Sequence, residues 1–147
     1  MAKGEAKQSE KKVVPVEEGL FTMPILPGEE PHLIGSKCKS CGTVFFPSRV
    51  ICGKCCREGM EEIILSRRGK VTTWTVIRMK PPGYKDQVPY VLGEVELHEG
   101  VLVRTHFSGV NPENPAIKVG DEAEVVLEKI YEDEEGNDVV CYKFRPV

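Results

Sequence analysis

Alternation between apolar and polar positions organises the second half of the chain and is nearly absent from the first. Residues 71–77, Val-Thr-Thr-Trp-Thr-Val-Ile, are β-branched or aromatic throughout and predict a strand. Residues 90–97 predict a second, closed by the turn His98-Glu99-Gly100. Val101, Val103, Thr105 and Phe107 fall at every second position, as a third strand requires. Lys118-Val119-Gly120-Asp121 introduces a fourth over residues 123–131, and Glu135-Gly136-Asn137-Asp138 turns the chain into a fifth over 139–144. Pro81-Pro82-Gly83-Tyr84 opens a loop that runs to Pro89, and residues 111–115, with two prolines, lengthen the connection after the third strand. No segment sustains a helical period and no internal repeat is visible. Five strands in a meander, with one longer connection after the third, suit a small OB-type barrel over residues 61–147.

Ahead of that barrel the pattern differs. Pro15, Pro24, Pro27 and Pro31 disfavour helix, because each removes a backbone donor and restricts its predecessor. Residues 1–32 are read as an N-terminal arm: polar and mixed in charge to Lys12, hence a disordered lead-in, then extended over 13–26 and packed on a neighbour or on the chain's own surface. Residues 33–60 carry Cys38-x-x-Cys41 and, after ten intervening residues, Cys52-x-x-Cys55. Two such knuckles have the spacing of a tetrahedral four-cysteine zinc site. Gly42 and Gly53 are expected to supply backbone freedom beside the sulfurs. Four protein thiolates leave the metal no open position, so zinc holds structure here rather than carrying out chemistry. A segment this short builds no core of its own, and the metal takes that role. His32-Leu33-Ile34-Gly35 before the first knuckle and Val44-Phe45-Phe46-Pro47 after it read as the hairpin strands of a ribbon. The predicted fold class is mainly β: an N-terminal four-cysteine zinc ribbon with rubredoxin-like knuckles, followed by a five-stranded OB-fold barrel.

Charge adds an asymmetry that the net value of −3 conceals. Residues 35–80 hold ten Lys and Arg against three acids, or +7, whereas residues 81–147 hold six against fourteen, or −8. A zinc with four thiolates lowers the middle segment to about +5, so one end of the molecule attracts anions. No stretch has the length or apolarity of a membrane span, and the N-terminus lacks the apolar region of a secretory signal. Six cysteines without such a signal fit metal ligation in a reducing cytoplasm better than a disulfide framework.

Gly35-x-x-Cys38-x-x-Cys41-Gly42, Phe46-Pro47-x-Arg49, Cys52-x-x-Cys55, Gly69-x-Val71, Pro89-Tyr90 and the closing Tyr142-x-Phe144-Arg145-Pro146 stand in a specific order and spacing. From about Ile34 to the C-terminus the chain resembles the zinc-ribbon plus OB-fold family known as domain of unknown function 35, the acyl-CoA-associated proteins. The resemblance implies a non-catalytic accessory subunit of a thiolase-like enzyme, with coenzyme A thioester as a shared ligand. One such system is the thiolase of anaerobic toluene breakdown that cleaves benzoylsuccinyl-CoA. Two features depart from the family pattern. Gly53 stands where many members carry proline, and the proline-punctuated arm replaces their helical lead-in.

On that basis Arg67, Arg68 and Lys70, at the junction of ribbon and barrel, are placed to meet the phosphates of coenzyme A. Tyr84, flanked by Lys80 and Lys85, is a candidate wall for the pantetheine arm or a stacking platform for adenine; an ordinary barrel loop is the plainer reading. No catalytic residue is assigned. Covalent acyl transfer needs an activated nucleophile with a base in reach. His32 and His98 are read as solvated, and His106 as a partly exposed strand residue that faces opposite Thr105 and Phe107. Cys56 is read as a spare thiol and Cys141 as a small buried strand residue, while Trp74 and Phe107 belong to the barrel core. The rival class is single-stranded nucleic-acid binding through a basic groove with stacking aromatics. The acidic barrel argues against it, and no membrane partner is expected.

Overall fold

Nine strands and no helix make up the described part of the chain, residues 12–24 and 28–147 of a computed structural model. They are β1 (Val13–Pro15), β2 (Ile34–Cys38), β3 (Val44–Phe45), β4 (Met60–Ile64), β5 (Arg68–Ile77), β6 (Tyr90–Leu97), β7 (Leu102–His106), β8 (Glu122–Glu132) and β9 (Asp138–Pro146). Among the described residues no helix is long and apolar enough to cross a membrane.

All five strands expected from alternation are present, as β5 to β9. Their ladder runs β9-β8-β5-β6-β7, and every neighbouring pair is antiparallel. The seam between β7 and β9 carries a single parallel bridge, Phe107 to Phe144, and one hydrogen bond from the Ser108 N–H to the Phe144 carbonyl at 2.8 Å. The OB fold is therefore present with a short closing seam rather than a full fifth ladder. In β6, Val91, Gly93, Val95 and Leu97 point inward, as the period of two demands. They meet Val71, Val103, Val125 and Phe144, all essentially inaccessible to solvent. Burial of each such side chain contributes about 1.5–3 kcal/mol.

Gly93 is needed for closeness rather than for conformation. A Cβ there would collide with the Thr73 carbonyl oxygen and the Phe107 ring.

The arm packs on the chain's own surface. β1 adds to the free edge of β9 as a parallel sixth strand, pairing Val13 with Asp138, Val14 with Val139 and Pro15 with Val140. This covers an edge that would otherwise present unpaired backbone groups. Phe21 bridges to Leu33 and enters the core. The lead-in expected at residues 1–12 lies, up to residue 11, outside the described residues, as do positions 25–27 of the arm.

The ribbon is a three-stranded sheet of order β3-β2-β4. Its longest ladder, five pairs between β2 and β4, has no counterpart in the sequence reading. In Met60-Glu61-Glu62-Ile63-Ile64 two adjacent acids and two adjacent isoleucines break the alternation, so only pairing with β2 reveals the strand.

Candidate metal centre and ligand cleft

The first knuckle follows directly from the end of β2. Gly42 takes a left-handed φ of 75°, and its N–H donates to the Cys38 carbonyl at 2.8 Å. The second knuckle repeats the device, with the Cys56 N–H donating to the Cys52 carbonyl at 3.0 Å. Here the left-handed residue is Cys56, at φ 59°, where a side chain is strained. This corrects the expectation for Gly53, which does not lie in that region. A Cβ on Gly53 would sit 3.0 Å from the Arg49 guanidinium, so its smallness admits Arg49 instead.

The four ligand sulfurs, of Cys38, Cys41, Cys52 and Cys55, lie within 4.8 Å of one another. Two of the separations, Cys38 to Cys55 and Cys41 to Cys52, are 3.6 Å. A zinc tetrathiolate with bonds of about 2.3 Å has sulfur–sulfur edges of about 3.8 Å, so the set fits zinc. The N–H groups of Lys54 and Cys55 donate to the Cys52 sulfur at 3.4 Å each, orienting its lone pairs.

Crowding splits the thiols. Hydrogen bonds from the Thr43 hydroxyl and N–H hold Cys41 down at about 6. The Arg57 N–H also favours the Cys55 thiolate, but burial and the neighbouring sulfurs push Cys55 up to about 11. All four sulfurs can ionise together at this spacing only beside a cation.

A second feature is a cleft of about 560 Å³ on the barrel. It is lined by Tyr84 of the 83–86 loop segment, His106 of β7, Tyr131 of β8 and Tyr142 of β9, among others. A register break between Lys129 and Tyr131 marks a bulge at Ile130. The bulge lets the consecutive residues Ile130 and Tyr131 both face the cleft.

Tyr84 stacks on Tyr90 with centroids 4.9 Å apart, and Tyr90 stacks on His106 at 4.4 Å. Burial, assisted by Lys143 and opposed by Asp86, holds the His106 imidazole below its ordinary pKa. Lys143 lies 3.3 Å from Glu128 and 3.7 Å from Asp86, and the Lys85 ammonium sits 4.6 Å over the Tyr131 ring. Burial also raises the Cys141 thiol.

The residues proposed from sequence for ligand binding are not gathered together. Tyr84 lines the cleft, whereas Arg67, Arg68, Lys70 and Lys80 do not. The Arg67 guanidinium donates to the carbonyls of Pro31 and Val125, each at 3.1 Å, and pairs with Glu30 at 3.0 Å. Arg68 pairs with Glu124 at 3.5 Å and Glu122 at 3.8 Å. Lys70 and Lys80 are exposed.

The sequence reading missed Tyr131 and Lys143. A bulge such as that at Ile130 leaves no compositional mark. Lys143 did carry a signal, as a cation in the otherwise apolar run Val139-Val-Cys-Tyr-Lys-Phe144. His98 is exposed in its turn, and Cys56 is an exposed thiol. Trp74 is half-buried against the core, while His32 is half-buried with its Nδ1 3.4 Å from the Leu65 carbonyl.

Comparison with known proteins places these features in a family. Residues 27–61 match the rubredoxin-like zinc ribbon domain of ChsH2, and residues 62–128 match the C-terminal OB-fold domain of ChsH2. A DUF35 domain-containing scaffold protein of Methanocaldococcus jannaschii is 44% identical over 78% of this chain and 82% of its own length. The benzoylsuccinyl-CoA thiolase subunit BbsA of Geobacter metallireducens is 31% identical over 100% of this chain and 99% of its own. Among solved structures, a chain of the Ltp2-ChsH2(DUF35) aldolase superimposes with a TM-score of 0.62 at 26% identity, over 78% of this chain and 84% of that one.

Proposed function

Because this chain belongs to the DUF35 family of zinc-ribbon and OB-fold proteins, we propose that it is a non-catalytic accessory subunit of a thiolase-type acyl-CoA enzyme complex. Its role is to help the complex assemble and to help it hold acyl-CoA. The observation that carries this reading is the end-to-end match to a thiolase subunit, 100% of this chain against 99% of that subunit. Similarity to scaffold proteins at 44% identity supports the assembly role. In this reading the nucleophile that attacks a thioester belongs to the partner, and zinc holds the ribbon rigid. Unpaired thiols at all six cysteines suit a reducing cytoplasm.

The ribbon tip offers a docking surface. Val50 is 83% exposed and Ile51 53% exposed, beside the exposed cations Arg49, Lys54 and Arg57. No ion pair neutralises these three within the described residues, whereas Arg67, Arg68, Arg104 and Arg145 of the barrel are all paired. Apolar anchors within a basic rim suit an acidic-rimmed recess on a protein partner.

Native mass spectrometry of the untagged protein, purified from its own cells without chelator, tests the reading. The expected result is a heteromer with a thiolase-sized chain and one zinc per accessory subunit. Val50→Asp with Ile51→Asp should release the partner while keeping the zinc. Recovery of the chain alone, or with nucleic acid that salt removes, would sink the proposal and favour the single-strand-binding alternative.

A further inference from the structure

We infer that the free edge of β4 takes up an extended, basic segment of the partner subunit as an added strand. The inference rests on the accessory-subunit reading for who the partner is, and on the backbone of the ribbon for how it is held.

β4 ends the ribbon sheet, and its register with β2 fixes which of its backbone groups are already used. The Leu65 N–H donates to the Leu33 carbonyl at 2.9 Å, and the Lys39 N–H to the Gly59 carbonyl at 3.2 Å. In an antiparallel ladder such hydrogen-bonded pairs alternate with pairs whose backbone groups point away from each other. Gly59, Glu61, Ile63 and Leu65 therefore face β2, while Met60, Glu62 and Ile64 turn their N–H and C=O groups outward. Within the described residues those outward groups have no backbone partner. The period of two also brings the side chains of Met60, Glu62 and Ile64 to one face of the strand. Glu62 is exposed there, and Ile64 is 55% exposed.

The chain treats its barrel edges differently. β1 covers β9, and β7 turns back toward β9 through the Phe107–Phe144 bridge. The five residues of β4 are left as a template on which a further strand can form its hydrogen bonds.

Charge selects the occupant. Glu58, Glu61 and Glu62 are the only acids among residues 35–80, against ten Lys and Arg, and all three lie on β4 or just before it. All are exposed, and no ion pair engages them within the described residues. A second copy of the chain fits poorly. Fully overlapped antiparallel pairing of two β4 strands sets Glu62 against Glu62, and like charges directly opposite oppose pairing. A segment with Lys or Arg between two apolar residues fits well. Its cation stands opposite Glu62, and its apolar side chains stand opposite Met60 and Ile64.

NMR titration of the isotope-labelled, zinc-loaded full chain with a peptide carrying Leu-Thr-Arg-Thr-Leu tests the edge. The same peptide with glutamate in place of arginine is the comparator. The expected result is saturable shifts and slowed hydrogen exchange at the Met60, Glu62 and Ile64 amides, with the glutamate peptide inert. Glu62→Pro removes an outward donor and leaves the β2 ladder intact, so it should weaken the peptide about tenfold with zinc content unchanged. Glu62→Lys should weaken it as well, without altering the backbone. In the complex purified from the protein's own cells, both variants should lose the partner that the wild type retains. Recovery of the wild type without a partner would count against the accessory role, and the peptide titration would then decide the edge by itself. Shifts that spare these three amides, an equal response to the glutamate peptide, or undiminished binding by both variants would overturn the inference. Concentration-dependent shifts at the same amides without peptide would overturn it in favour of a second copy.

Discussion

Tyr142 holds Phe46 edge-on, with ring centroids 5.4 Å apart and planes at 85°. Barrel and ribbon are thereby joined through one side chain, which also meets Phe21 of the arm at 6.4 Å and donates to the Arg104 carbonyl. Three segments that are distant in sequence meet at this ring. Tyr142→Phe should cost about 1 kcal/mol through the lost hydrogen bond. Tyr142→Ala should cost about 3 kcal/mol or more, because a partly buried aromatic is removed from a junction. Urea denaturation of both variants measures the difference, and equal midpoints would show that the ring packing carries no load.

The second knuckle contains a correctable strain. Cys56 occupies a left-handed conformation at the position where the first knuckle has Gly42. Cys56→Gly should stabilise the protein by about 0.5–1 kcal/mol, after allowance for the greater entropy of glycine in the unfolded chain. Zinc content should not change, since Cys56 is not among the four converging sulfurs. A lower denaturation midpoint would contradict the strain.

Metal removal should act locally. Stripping zinc with a strong chelator leaves four crowded thiols without a counter-charge, and the ribbon has too few residues to hold itself. Hydrogen exchange should show β2, β3 and β4 losing protection while β6 and β7 retain it. Cys52→Ser should reproduce the pattern. Uniform loss across both sheets would mean that the barrel depends on the metal as well.

Gly93 separates close approach from conformational freedom. Gly93→Ala should cost at the upper end of about 1–3 kcal/mol, because the methyl group meets backbone oxygen and a buried ring, neither of which can retreat cheaply. Gly100→Ala makes a useful contrast. It lies at φ 79° with open space around its Cβ position, so any cost there comes from backbone conformation alone. Thermal unfolding of the pair separates the two effects.

His106 should make stability depend on pH. Its folded pKa is depressed, first by burial and then by Lys143, with Asp86 opposing. The unfolded chain therefore binds a proton more readily, near pH 6.5. Its contribution is fully present above that value and declines as pH falls toward the folded pKa. Stability measured at pH 7.5 and pH 5 should differ more for the wild type than for His106→Gln. Parallel pH curves for the two proteins would remove His106 as the cause.

The sequence by itself determined the metal centre and the five barrel strands. Both are local signals: a knuckle spans four residues, and alternation reports which side of a strand meets the core whatever the neighbouring strand is. What β1 pairs with, the existence of β4, and the short seam between Phe107 and Phe144 belong to the tertiary structure. So do the partners of Arg67, which lie 36 and 58 positions away, and the cleft, where Tyr142 reaches a carbonyl 38 positions back. Such contacts depend on strand register, and a bulge such as that at Ile130 shifts register by one residue without leaving any trace in composition. Side chains that alternation alone assigns to separate faces are in this way brought to line one cleft.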